Sequence, residues 1–164
     1  MMAGELSSCI STAALVVYGL SLLPTVEGRY ALVVGIRMGL STACAVLVAM
    51  LGVVTLSLAL PALLPLAHRL AERLAEGGPL SRLARKYLEY SERARRRASR
   101  YTDKYGLLGL AIFVAIPLPA TGIWTGAIAA FLLGMSPRSI RIGLLAGGTI
   151  SVVLLAFTSL GLSL

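Results

Sequence analysis

The stretch 113–126, FVAIPLPATGIWTG, interrupts an apolar run that otherwise reads as a membrane helix. Pro117 and Pro119 lack the amide hydrogen that a continuous helix needs, and Gly122 frees the backbone just beyond them. A straight span is expected to break here. Hydrocarbon cannot replace the lost backbone hydrogen bonds, so a break at membrane depth must be buried in protein or line a watery cavity. The same stretch carries Thr121, Thr125 and the only tryptophan, Trp124. It is a candidate site; a short loop joining two spans at the membrane surface is the simpler alternative.

That the run belongs in a membrane follows from composition. Of the 164 residues 57% are hydrophobic and 13% charged, with a mean hydropathy of +0.87, which places the chain among polytopic membrane proteins. One compact all-α bundle over residues 1–164 is expected. The net charge of +8 is concentrated: eleven of the fifteen Lys and Arg residues lie between Arg69 and Lys104. A basic block beside apolar spans is the positive-inside signal. Residues 66–104 are therefore expected to be cytoplasmic in a multi-pass protein of the plasma membrane, separating a first half, 1–65, from a second, 105–164. This placement also argues against nucleic acid as a partner for the arginines.

Along the chain, Leu6 to Leu23 is long enough for a first span, ended by Pro24. Between Pro24 and Gly39 lie the only charges separating Glu5 from Arg69: Glu27, Arg29 and Arg37. On a regular helix Glu27 and Arg29, two apart, point to different faces; a turn, for which Gly28 is suited, would join them. The segment is either a solvated loop or a shallow re-entrant segment whose carboxylate binds a proton or cation, with the arginines as counter-charges or anion contacts. Met38 to Leu60 reads as a clean span ended by Pro61 and Pro65. A short amphipathic helix follows, stopped at Gly77-Gly78-Pro79, and then a second from about Leu80 to Tyr105. The second carries its tyrosines on one side and arginines on the other, as for a helix lying against anionic headgroups, with Arg93 to Arg100 as the contact. Tyr105 to Met135 divides at the opening stretch into two arms, each about half a bilayer long. Ser136 can cap a last span that opens with Pro137 and ends at Leu164. The fold class expected is thus an all-α integral membrane protein with about three full spans and two re-entrant hairpins in an inverted repeat.

Residue chemistry gives little else. Cys9 and Cys44 sit in separate apolar segments and read as small buried hydrophobes rather than a disulfide. His68 has no partner at ligand spacing, so no metal and no catalytic role are expected for it. Zincin, nucleophile-elbow and nucleotide-loop motifs do not occur, so neither an enzyme nor a cofactor is expected.

At Phe113 to Gly126 the chain resembles the small multidrug export protein family, whose signature is similar to F-V-x-I-P-L-P-G-T-G-x-W-T-G. Pro24, Glu27, Arg29, Ala31 and Leu32 carry a looser match to that family's P-x-x-E-x-R-x-A-[IL]-P stretch. Ala120 stands where the family usually has glycine, and Val33 where it has proline. The family in turn resembles the DedA superfamily, membrane proteins with two re-entrant segments, some linked to lipid-carrier translocation. The resemblance implies ion- or proton-coupled export or translocation of a small amphipathic or lipid-like substrate. Glu27, Arg29, Arg37, Pro117, Pro119, Thr121, Gly122, Trp124 and Thr125 are the candidate site, acting on that substrate or on a lipid carrier. A non-transporting membrane assembly protein is the alternative. Three spans and two hairpins enclose little space alone, so a homo-oligomer is expected.

Overall fold

The computed structural model describes residues 9, 11–24, 26–77, 80–116 and 121–161, with backbone alone at 98–105, 160 and 161. Among the described residues there are six helices and no strand.

Helix α1, Thr12–Ser21, starts where Ser11 takes extended backbone and its hydroxyl accepts the Ala14 amide at 3.4 Å. This cap breaks the expected span Leu6 to Leu23: the helix described has ten residues, about 15 Å at helical rise and half a hydrocarbon core. Helix α2, Glu27–Arg37, then turns the expected polar interruption into eleven helical residues, passing through Val33 without a break. Arg37 lies exposed in its last turn, where a cation suits the negative end of the helix dipole.

Helix α3, Thr42–Ala75, is capped by Ser41, whose hydroxyl accepts the Cys44 amide at 3.3 Å. Contrary to expectation it runs through both Pro61 and Pro65. Leu60, Pro61 and Leu64 are all buried, and packing on α3 outweighs the two amide donors that the prolines withhold. Helix α4, Ser81–Ala115, changes direction at Gly106, where φ +53 and ψ −120 are open to glycine alone. Its first part is the basic amphipathic helix and its last, Gly106–Ala115, an apolar arm. Helix α5, Ile123–Leu132, is a second arm of ten residues, and α6, Pro137–Gly161, opens behind Ser136, whose hydroxyl accepts the Ser139 amide at 3.2 Å.

Among the described residues two helices, Thr42–Ala75 and Pro137–Ser159, are long and apolar enough to cross a bilayer, where about three full spans were expected of the whole chain. The order short helix, break, short helix, long helix occurs twice: α1, α2, α3, then the Gly106–Ala115 arm, α5 and α6. The second set is drawn together by Gly143 and Gly147. A Cβ on Gly147 would stand 2.5 Å from the Ala111 carbonyl oxygen and 2.7 Å from Val114 Cβ. Leu110, Val114, Leu144 and Val152 fill the core between them.

One further expectation changes. Cys9 and Cys44 are joined in a disulfide with their Cα atoms 5.4 Å apart, because the start of α1 packs beside the first turn of α3. Part of the amphipathic helix also meets protein: Ala84, Ser91 and Ala94 are buried, and Tyr87 is half-buried beside His68. His68 itself stands edge-on to both Tyr87 and Phe131 at 6.2 and 5.6 Å.

Candidate functional site

The two breaks meet. Glu27, the first residue of α2, has φ +50, the only described non-glycine residue in the left-handed region. That conformation costs a side-chain-bearing residue about 1–2 kcal/mol and persists only where its surroundings enforce it. It brings together two side chains that a regular helix would separate, and Arg29 Nη2 lies 3.2 Å from Glu27 Oε2. The turn is made by Glu27 and not by Gly28, whose own place is set by close packing: a Cβ there would meet the Ala49 carbonyl oxygen at 3.0 Å. Both charges are buried, 5% and 6% exposed.

Each charge also closes one end of the second break. The Ile123 and Trp124 amides, unpaired at the start of α5, donate to Glu27 Oε2 and Oε1 at 3.0 and 3.3 Å. Arg29 Nη1 donates to the carbonyl of Ile116, the residue that ends α4, at 3.1 Å. The carboxylate thus faces the positive end of one helix and the guanidinium the negative end of another, the favourable sense for both. Without the carboxylate the Ile123 and Trp124 amides would lose these acceptors, at about 1–3 kcal/mol for each left buried and unsatisfied. Gly122 makes the approach possible, since a Cβ there would overlap the Glu27 carboxylate.

The remaining candidates divide. Thr121 Oγ1 donates to the Ile116 carbonyl at 2.7 Å, and Trp124 Nε1 to the Leu22 carbonyl at 3.1 Å, tying α5 to the end of α1. Thr125 is buried and shares a 2.6 Å hydrogen bond with Tyr90 OH, so it faces the amphipathic helix and not the charge pair. Arg37 is not brought to the site. Pro117 and Pro119 lie outside the described residues. Ile116, Leu22 and the Ile123 amide act through backbone, which residue type cannot signal; Tyr90 and Ser151 carried no sequence signal as site residues. Among the described residues no cluster of His, Cys, Asp and Glu could hold a metal.

Outside this buried centre the helices present leucine and phenylalanine: Leu15, Leu47 and Phe157 are each more than 60% exposed. Apolar side chains outside, a charge pair inside and two helices of spanning length define an all-helical membrane protein with its polar centre buried in the bundle. A family model described as putative small multi-drug export protein matches residues 27–154, and the chain belongs to that family. Neither the curated proteins nor the solved structures include a match to it.

Proposed function

We propose that the protein is an ion- or proton-coupled transporter that exports or translocates a small amphipathic or lipid-like substrate, with Glu27 and Arg29 as its moving latch. The observation that carries this reading is the buried, strained charge pair at the junction of two helix breaks. Ionisable groups in a membrane interior are costly and by default functional. Protonation of Glu27 removes the charge that holds Arg29 and the α5 amides together, which loosens both breaks at once. A cation competing for the carboxylate has the same effect, and Arg29, once released, is free to meet an anionic headgroup.

Orientation supports the coupling. The dense arginines of 66–104 favour the cytoplasm, and the Cys9–Cys44 disulfide, at the opposite end of α3, favours the oxidising side. In that frame the pairs of short helices are re-entrant hairpins, the first entering from outside and the second from the cytoplasm, in an inverted repeat. The exposed arginines Arg93, Arg95, Arg96 and Arg97 then face anionic lipid.

A structural reading has its own support: both carboxylate oxygens already hold protein donors, as in a permanent clamp. Flux of cationic dyes and of lipid carriers in proteoliposomes, with and without a pH gradient, separates the two. The transport reading expects gradient-dependent flux that Glu27→Gln abolishes. Full flux in Glu27→Gln removes the carboxylate from the mechanism, and no flux of either class favours the clamp.

A further inference from the structure

Beside the charge pair is a small, partly enclosed void with about 10 Å³ of room, bordered by Glu27, Arg29 and Ser151 and walled by Val53, Val114 and Val152. Ser151, on α6, is 1% exposed, and its hydroxyl is buried with no hydrogen-bond partner. An unpaired buried hydroxyl costs about 1–3 kcal/mol, and a native core seldom leaves one without a reason. Three features identify what would satisfy it. The space is close to the minimum for one water molecule and too small for an organic ligand. Its polar border offers both kinds of group: Arg29 uses two of its five N–H donors on described partners, and Glu27 Oε1 accepts only one described hydrogen bond. The pair is neutral as a unit, which favours a water over a bare cation.

We infer that this void is a one-water site in which Ser151, Glu27 and Arg29 hold a single ordered water. The water gives the pair a partner on α6, so that the second long helix touches the charge centre through it. Ser151 is a positioning residue: it acts on Glu27 through the water. Arg29 and the two amides belong to the chain, whereas the water can turn or leave the carboxylate without moving a helix.

A high-resolution structure of the full chain in lipid tests the site directly. The wild type is expected to have density in the void within hydrogen-bond distance of Ser151 Oγ, and Ser151→Val, whose methyls fill the space, is expected to lose it. An empty void in a map that resolves other buried waters overturns the proposal, as does density that persists in Ser151→Val. Should Ser151→Val fail to fold, nuclear magnetic resonance of the wild type in nanodiscs carries the test. The Gly28 and Val152 amides are expected to exchange magnetisation with a long-lived water, and no such transfer refutes the site. Neither readout depends on flux. A wet void in a protein that transports nothing leaves this inference standing, and a dry void beside Glu27-dependent flux removes it alone.

Discussion

Replacing Gly122 with alanine adds one methyl group where the Glu27 carboxylate now sits. Gly122 has φ −88 and ψ −169, extended backbone that alanine adopts without strain, so any cost comes from displacing the carboxylate. Two hydrogen bonds are at stake, from Ile123 N at 3.0 Å and Trp124 N at 3.3 Å. Hydrogen bonds to a charged group contribute about 1.5–3 kcal/mol each, and the longer one belongs at the low end, giving about 4 kcal/mol. Alanine restricts the unfolded chain and returns about 0.4–1 kcal/mol. The net loss expected is about 3 kcal/mol. Reversible unfolding in mixed micelles, followed by the fluorescence of the single tryptophan, measures it. The decisive comparison repeats the change in Glu27→Ala/Arg29→Met, where no carboxylate remains to be displaced and no arginine is stranded. There Gly122→Ala is expected to be neutral or slightly stabilising. An equal loss in both backgrounds would refute the account of Gly122 as the residue that admits the carboxylate.

Arg29→Met should cost about 3–5 kcal/mol because it leaves Glu27 buried without its counter-charge, and adding Glu27→Gln should recover part of that loss in the same unfolding assay. Tyr90→Phe should cost about 1 kcal/mol, and Thr125→Val in the same chain should add little, because one hydrogen bond joins them. Reducing the Cys9–Cys44 disulfide, whose cysteines are 35 residues apart, should lower stability by about 4 kcal/mol. In intact cells a membrane-impermeant thiol reagent should label the reduced cysteines, and protection until lysis would reverse the proposed orientation. Gly147→Val should separate α6 from the Gly106–Ala115 arm and cost more than Gly19→Ala, whose Cβ meets nothing within 4 Å, by unfolding midpoint.

The breaks were legible in sequence because they rest on residue chemistry. Proline and glycine mark 113–126, and a glutamate among apolar residues marks Glu27. The helical arms around the second break had the lengths expected, and Ser136 capped as expected. Less legible was whatever depended on contacts distant in sequence. Leu6 to Leu23 has the composition of a span, and only the cap at Ser11 shortens the described helix. Pro61 and Pro65 carry helix-ending chemistry that the burial of Leu60 and Leu64 overrules. For Glu27 and Arg29 the sequence offers a pairing only through a turn, for which Gly28 is the suited residue; a left-handed Glu27 has no sequence signal until the α5 amides that hold it are known. The cysteines failed for the same reason, their proximity being a product of how α1 docks on α3.

Consider the Cys9–Cys44 bond as the closure of a ring. Glu27 is 18 residues from one cysteine and 17 from the other, so the carboxylate sits at the point of the ring farthest from its clasp. The covalent link holds the rim of the first half and restrains its tip least. Apart from the packing of Gly28 on Ala49, what fixes the tip is borrowed from the other half, namely two amides, one carbonyl and the tryptophan that reaches back to Leu22. In the proposed cycle, withdrawal of those contacts frees the tip while its base stays tethered, and the bundle has a loose end at its centre that cannot unravel from its edge.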